Sequence, residues 1–421
     1  MTALEAEREL TERPASARRG ALTTLRAEPA YARLLLSGFI SGGGDWFNSV
    51  ALLGLTLRLT GSPLAVGVTL ALRTLPQLAL APLAGALADH TPRKLILVSS
   101  DLLAAGVALS FLLATTPDRV WVIYAGTLAL VALSVIRQPA RQAVTPGLVA
   151  ADSLLAANAL EGVADGSVRL LGAALGGAVS GALGPAPAFL INAASFLCSA
   201  CLIANLRIPA LPAPDHRRNV WSITAVYSVV RSSRTLTLLF ALATLWPIGG
   251  GAINILLTVY AVKVFSAGDQ GIGAMYAAIG VGFLLGGLLA PRLARRTSLA
   301  MTLAFIVEGA LQIAVSQAPT LPAAVVALAL ATSAAGVGNA CASTITMRVA
   351  PDDMIGRIFA LMGALSSVTF ALSLLASSAL LQVIAPRTLG ALAGVLIACA
   401  GLATLAMRSA QRAPAAAPAQ R

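Results

Sequence analysis

Charge is scarce in this sequence. Charged residues make up 11% of 421, with 17 acidic against 29 Lys+Arg. Water-soluble domains carry about 25% charged residues, so no soluble domain of useful size fits here. Histidine occurs only at His90 and His216, which speaks against a buried histidine metal or acid–base centre. The four cysteines, Cys198, Cys201, Cys341 and Cys399, all fall in apolar stretches. Neither a disulfide nor a metal site is expected, and Cys198-x-x-Cys201 reads as two small packing residues. No Gly-x-x-x-x-Gly-Lys-Ser/Thr stretch occurs, which points away from ATP chemistry. Aromatic residues reach only 5%.

Apolar residues fill the rest, at 57% with a mean hydropathy of +0.84. Runs of roughly 20 apolar residues recur, each long enough to cross the ~30 Å hydrocarbon layer as a helix. About twelve are read, at 31–57, 63–88, 95–115, 120–138, 158–181, 186–206, 237–262, 271–291, 299–316, 321–345, 358–383 and 388–407. The fold class is all-α integral membrane. Very short turns, such as Thr60-Gly61-Ser62-Pro63, force consecutive spans to be antiparallel neighbours.

Twelve spans put both termini on one side. The opposite set of turns holds only Arg58, Arg119, Lys263 and Arg387, while Arg73 and Arg169 fall inside spans. The remaining Lys and Arg lie with the termini, and that side is cytoplasmic by the positive-inside rule. The net charge of +12 is scattered over short loops, not gathered on one face, which argues against nucleic acid. Residues 1–30 mix Arg and Glu with no apolar run and are expected to be a cytosolic tail, as are 408–421.

The longest break, 207–236, separates a half at 31–206 from a half at 237–407. It opens with Pro209, Pro212 and Pro214. Val220, Ile223, Val226, Tyr227 and Val230 then recur at helical spacing, with Arg231 and Arg234 off that stripe. A basic amphipathic helix lying on the anionic inner leaflet is expected. Small residues concentrate at Gly172, Gly176 and Gly177, and at Gly280, Gly282, Gly286 and Gly287. They either only let helices pack closely or also serve a conformational change.

A charge at a helix centre costs roughly 2.5–3.5 kcal/mol on insertion scales. Asp45, Arg73, Arg169 and Glu308 fall near mid-bilayer, and Asp101 falls shallower. Glu161, Asp165 and Arg169 recur at i, i+4, i+8 and share one helix face. Arg169 can neutralise one of these carboxylates; the other must pair elsewhere or take up a proton, since burial disfavours a carboxylate's charged form. Static pairing, such as Arg73 with Asp45, is the alternative. Trp46, Phe47, Trp246 and Phe370 are candidate cavity-lining aromatics, whereas Trp121 and Trp221 suit the membrane interface.

Several motifs carry a resemblance. After the second span comes Gly85-Ala86-Leu87-Ala88-Asp89-His90-Thr91-Pro92-Arg93-Lys94. It resembles the signature loop between helices two and three of the major facilitator superfamily, Gly-x-Leu-Ala-Asp-Arg-x-Gly-Arg-Arg/Lys, with His90 in place of Arg and Pro92 in place of Gly. Gly44-Asp45-Trp46-Phe47, Leu75-Pro76, Gln138-Pro139-Ala140-Arg141 and Ala156-Ala157-Asn158-Ala159-Leu160 are similar to the drug- and siderophore-exporter branch that includes the enterobactin exporter. Pro351-Asp352-Asp353 with Gly356-Arg357 resembles the equivalent loop of the second half. Pro291-Arg292-Leu293-Ala294-Arg295-Arg296 stands at the second signature position without its Asp. Gly172-Ala173-Ala174-Leu175-Gly176-Gly177 resembles the antiporter motif Gly-Pro-x-x-Gly-Gly, with Ala173 for Pro.

The resemblance implies two pseudo-symmetric six-helix bundles around a substrate path. It implies a transporter of the cell membrane that exports a small drug-like or siderophore-like molecule by antiport, with no organic cofactor, and a monomer whose partners are its substrate and the bilayer. Gly85, Asp89, Arg93, Lys94, Asp352, Gly356 and Arg357 are then gating-loop candidates. Asp89 can latch the bundles through charge-assisted hydrogen bonds; alternatively Arg93 and Lys94 only set topology. Asp45, Asp101, Glu161, Asp165 and Glu308 become proton-coupling candidates. Arg73 and Arg169 are expected to hold carboxylates or an anionic part of the substrate. A proton-coupled importer on the same fold is one alternative; a membrane sensor or enzyme is another.

Overall fold

A computed structural model describes residues 21–150, 153–208, 223–290, 297–351 and 354–405. Within these residues the chain is helical, without strands. A short α1 (Ala21–Ala27) leads into α2 (Pro29–Thr60), α3 (Pro63–His90), α4 (Arg93–Ser110), α5 (Val120–Leu148), α6 (Leu154–Leu183) and α7 (Pro185–Ala204). After α8 (Ile223–Ser232) come α9 (Arg234–Val259), α10 (Gly268–Leu289), α11 (Thr297–Gln317), α12 (Leu321–Val349), α13 (Ile355–Leu380) and α14 (Pro386–Ala403). The twelve long helices match the twelve expected spans. Among the described residues, ten of the twelve are long and apolar enough to cross a membrane.

Local chemistry explains the breaks. Proline begins α2, α3, α7 and α14, where its missing N–H would have had no partner. Gly61 closes α2 in the left-handed conformation, at φ 63°, and its N–H reaches the Leu57 carbonyl at 2.8 Å. The largest departure from the expected spans is α5. It runs through Pro139 and Pro146 instead of stopping near 138, so Arg137 and Arg141 lie inside a helix, not in a loop. Gly38 of α2 leaves room for the Arg141 guanidinium.

The two halves repeat the same pairings. In the first, α2 packs on α6 and α7, α3 on α5, and α4 on α5 and α7. In the second, α9 packs on α13 and α14, α10 on α12, and α11 on α12 and α14. Contacts between halves run chiefly through α6 with α10 and α3 with α13. At the end of the molecule carrying Arg58, one apolar core spans both halves, joining Val50, Leu53 and Val66 to Ile255, Ile272 and Leu374. At the opposite end the cores are separate among the described residues: Tyr31, Leu34 and Ile203 in one, Met301, Phe305 and Ile358 in the other. The halves thus converge at the Arg58 end.

Glycines permit that convergence. A Cβ on Gly177 of α6 would sit 2.7 Å from the Gly273 Cα of α10. Gly176 faces the Phe47 backbone and Gly172 the Trp46 side chain. Gly282 and Gly286 face α12, Gly280 meets Leu170, and Gly287 meets nothing within 4 Å.

The amphipathic helix departs from expectation. Val226 is buried, and Val229 and Val230 pack with it against the second half, while Tyr227 is exposed. Its apolar face is covered by protein. Val220, Trp221 and the rest of residues 209–222 lie outside the described residues.

Gly309→Ala puts a Cβ 2.5 Å from the Gly394 carbonyl oxygen and the Ala398 nitrogen. It should lower stability by about 1–3 kcal/mol, whereas Gly287→Ala should be neutral or mildly stabilising. Thermal unfolding in detergent separates them; equal effects would contradict the packing described.

Candidate functional site

Arg137 organises the polar interior of the first half. Its guanidinium donates to Asp101 Oδ1 at 2.8 Å and to Ser41 Oγ at 3.3 Å, and lies 3.7 Å from Asp45 Oδ2. The Phe196 ring lies beneath it, 5.5 Å away. Asp101 is fully buried, and its other oxygen accepts a hydrogen bond from Ser199 at 2.6 Å. The partner of Asp45 is therefore Arg137, not Arg73. Arg137 is legible in the sequence only as a loop charge, because Pro139 suggests a helix end near 138 and the helix continues through it.

Nearer the Tyr31 end, Glu161 accepts from Thr145 Oγ1 at 3.3 Å. The expected triad on α6 is not brought together: no ion pair within 4 Å joins Arg169 to Glu161 or Asp165. Asp165 and Arg169 are both exposed. The Arg169 guanidinium lies 5.4 Å over the Trp46 ring, a cation–π geometry. Trp46 in turn packs on Tyr276 of α10, with ring centroids 5.7 Å apart, and Tyr276 donates to Asn254 of α9 at 3.3 Å. This chain of contacts crosses from one half to the other.

In the second half, Glu308 of α11 is buried, and both its oxygens accept from the Trp246 indole N–H, at 3.1 and 3.0 Å. No cation among the described residues lies within 4 Å of it. Trp246 and Phe305 also line a cavity of about 230 Å³ that is mostly apolar, with Ser343 and Ser366 among its walls. Phe47 instead packs into the core between α2, α5 and α7, and Phe370 packs against the shared core; neither lines a described cavity.

Asp269, which sequence reading passed over, sits at the convergent end. Its side chain is fully buried, pairs with Arg58 at 2.5 Å and accepts from Ser180 of α6. Gly54 provides the space. Lys263 adds a bond to the Gly61 carbonyl at 2.9 Å. The only signal in the sequence was an acidic residue in the first turn of a helix, where the dipole favours it.

The gating-loop candidates lie at the other end. Gly85 and Asp89 occupy the last turns of α3, and Gly356 the first turn of α13; the Asp89 side chain lies outside what is described, as does Asp352 entirely. Arg93 opens α4, Lys94 donates to the Leu206 carbonyl at 2.9 Å, and Arg357 is half-buried in α13.

The sequence profile of the Major Facilitator Superfamily matches residues 34–374. The chain is 30% identical over 179 residues to an uncharacterized MFS-type transporter, YfiS, of Bacillus subtilis, covering 42% of each chain. It is 26% identical over 349 residues to the multidrug efflux pump Tap of Mycolicibacterium fortuitum, covering 79% of this chain and 84% of that one. A bacterial homologue of the iron transporter ferroportin, solved in an inward-facing state, superposes with TM-score 0.69 at 17% identity, over 90% of this chain and 99% of that one. A bacterial homologue of the lysosomal transporter Spinster, also inward-facing, gives 0.69 at 12% identity, over 92% and 100%. At these identities the superpositions speak to fold alone.

The Arg137 node predicts an asymmetry. Arg137→Met leaves Asp101 buried with Ser199 alone and should cost about 3–5 kcal/mol. Asp101→Leu leaves Arg137 with Asp45 and should cost clearly less. Denaturant unfolding in micelles reads both; a larger loss from Asp101→Leu would overturn the assignment.

Proposed function

The chain belongs to the Major Facilitator Superfamily, and on that premise we propose that it exports a small drug-like or siderophore-like molecule across the cytoplasmic membrane by proton-coupled alternating access. It is a multi-pass membrane transport protein, not an enzyme. The observation that carries the mechanism is the one-ended closure: a shared core and the Arg58–Asp269–Ser180 contact at one end, separate cores at the other. With the Arg-rich turns and both termini in the cytoplasm, that arrangement is closed outside and open inside. The similarity to the multidrug efflux pump Tap supports export.

Reversal would break Arg58–Asp269 and Lys263–Gly61 and close the cytoplasmic end. There Asp89, Arg93 and Lys94, with Asp352, Gly356 and Arg357, would form the opposing latch. Glu308 is the leading proton carrier. An isolated ionised carboxylate is expensive in apolar surroundings, so exchange of its proton would follow whether water reaches it past Trp246. Asp45, Asp101, Glu161 and Asp165 are the other titratable groups on the route. The proton gradient would supply the energy, with no metal or organic cofactor. The protein would work as a monomer with its substrate and the bilayer as partners, and without nucleic acid.

In everted vesicles, Glu308→Gln should abolish most dye transport on an imposed pH gradient while leaving the folded yield unchanged. If amide variants of Asp45, Asp101, Glu161, Asp165 and Glu308, alone and combined, all still transport, proton coupling is wrong. Cells expressing the protein should accumulate less dye than a deletion strain; greater accumulation would mean import.

Opening outside can be read directly. Spin labels at Ser62→Cys and Ser266→Cys, with the four native cysteines replaced by alanine, report across the closed end. Asp269→Asn should add a longer distance component; an unchanged distribution would remove Asp269 from the closure.

A further inference from the structure

A second cavity, of about 140 Å³, lies within the first half alone. Its polar wall comes from α2, α3 and α5, through Asp45, Asn48, Arg73, Gln77, Thr127 and Arg137. At roughly 30 Å³ of liquid volume per water, it holds a polar head group and not a drug-sized molecule, whose pockets run about 300–1,000 Å³.

Its walls are not satisfied by protein. Asn48 and Thr127 are each only 4% exposed, yet Asn48 Oδ1 and Thr127 Oγ1 have no hydrogen-bond partner. A buried polar atom left unpaired costs about 1–3 kcal/mol, so two in one small cavity mark a place built to receive polar groups. The charges are matched unevenly. Arg137 is committed to Asp101 and Asp45. Arg73 makes no ion pair within 4 Å among the described residues. Its guanidinium is a planar fork suited to a carboxylate, and it is the cation in this cavity without a carboxylate of its own.

We infer that this cavity is the polar subsite of the transport route. It takes the carboxylate of an organic anion on Arg73, while a neighbouring hydroxyl or amine of the same molecule donates to Asn48 Oδ1 and Thr127 Oγ1 binds beside it. The apolar remainder of the molecule extends out of the cavity. The inference rests on the transporter reading above and narrows its substrate class to amphipathic organic anions.

The test uses the full chain in nanodiscs and three probes that share one ring. They are salicylate, a carboxylate beside a hydroxyl; salicylamide, its neutral counterpart; and benzylamine, a cation. Salicylate should raise the unfolding temperature in a saturable way, and the other two should not. Arg73→Met should weaken salicylate binding about tenfold or more, the loss of a charge-assisted pair. Should that variant fail to fold, Arg73→Lys, which keeps the charge and loses the fork, should still weaken it several-fold. Asn48→Leu should weaken binding while raising stability without ligand, because it removes the orphaned acceptor. Equal effects of salicylate and salicylamide, no effect of salicylate, or undiminished binding to the Arg73 variants would each overturn the subsite. Efflux of fluorescein, an amphipathic anionic dye, by the wild type is the separate readout: efflux without salicylate binding removes the subsite and leaves the transporter reading standing.

Discussion

The shape of this protein depends on the backbone contact between α6 and α10. Gly177 and Gly273 face each other where any side chain would hold the helices apart. Lipid gives helices no hydrophobic reason to associate, so close approach and the dispersion contacts it brings must do that work. Because the contact joins the two halves at the Arg58 end, the shared core forms there, and the space between the halves widens away from it. Asp269 adds polarity to the same seam: it is a buried carboxylate made tolerable by Arg58 and Ser180 from the facing half. A seam held by packing and one partnered charge can open without leaving many groups stranded.

The halves share their helix pairings but not their chemistry. The first buries Asp101 and partly buries Arg137, with Asp45 beside them. The second buries Glu308 under a single indole N–H. Charges that are paired tend to stay put, whereas a carboxylate answered only by a neutral donor can change its proton with little rearrangement around it. In the proposed mechanism the first half would serve polar recognition and the second proton exchange, with Arg169, Trp46 and Tyr276 stacked across the boundary.

Most of the architecture was legible before any coordinates, because a bilayer leaves the backbone one choice and hydropathy records it. The twelve spans came out within a few residues except at α5, where Pro139 looked like a stop and the helix continues through it. That continuation carries Arg137 into the polar interior beside Asp101 and Asp45. Helical spacing correctly put Glu161, Asp165 and Arg169 on one face, but spacing cannot tell which neighbouring helix meets that face, and Arg169 stacks on Trp46 instead of pairing on its own helix. Asp269 was invisible for the same reason, since its partners are far along the chain. The stripe on α8 was real, yet periodicity does not distinguish a lipid surface from a protein one.

The seams between the halves have a further meaning. The second long helix of the first half, α3, meets the fifth of the second, α13, and the fifth of the first, α6, meets the second of the second, α10. Each half therefore offers the same two surfaces to the other, the relation found in isologous dimers. A chain of two identical halves would already close in this manner. The residues that make the halves unlike, Arg58 and Asp269 among them, are then what distinguishes this covalent pair from a symmetric ancestor-like dimer, since no second copy of that ion pair occurs among the described residues.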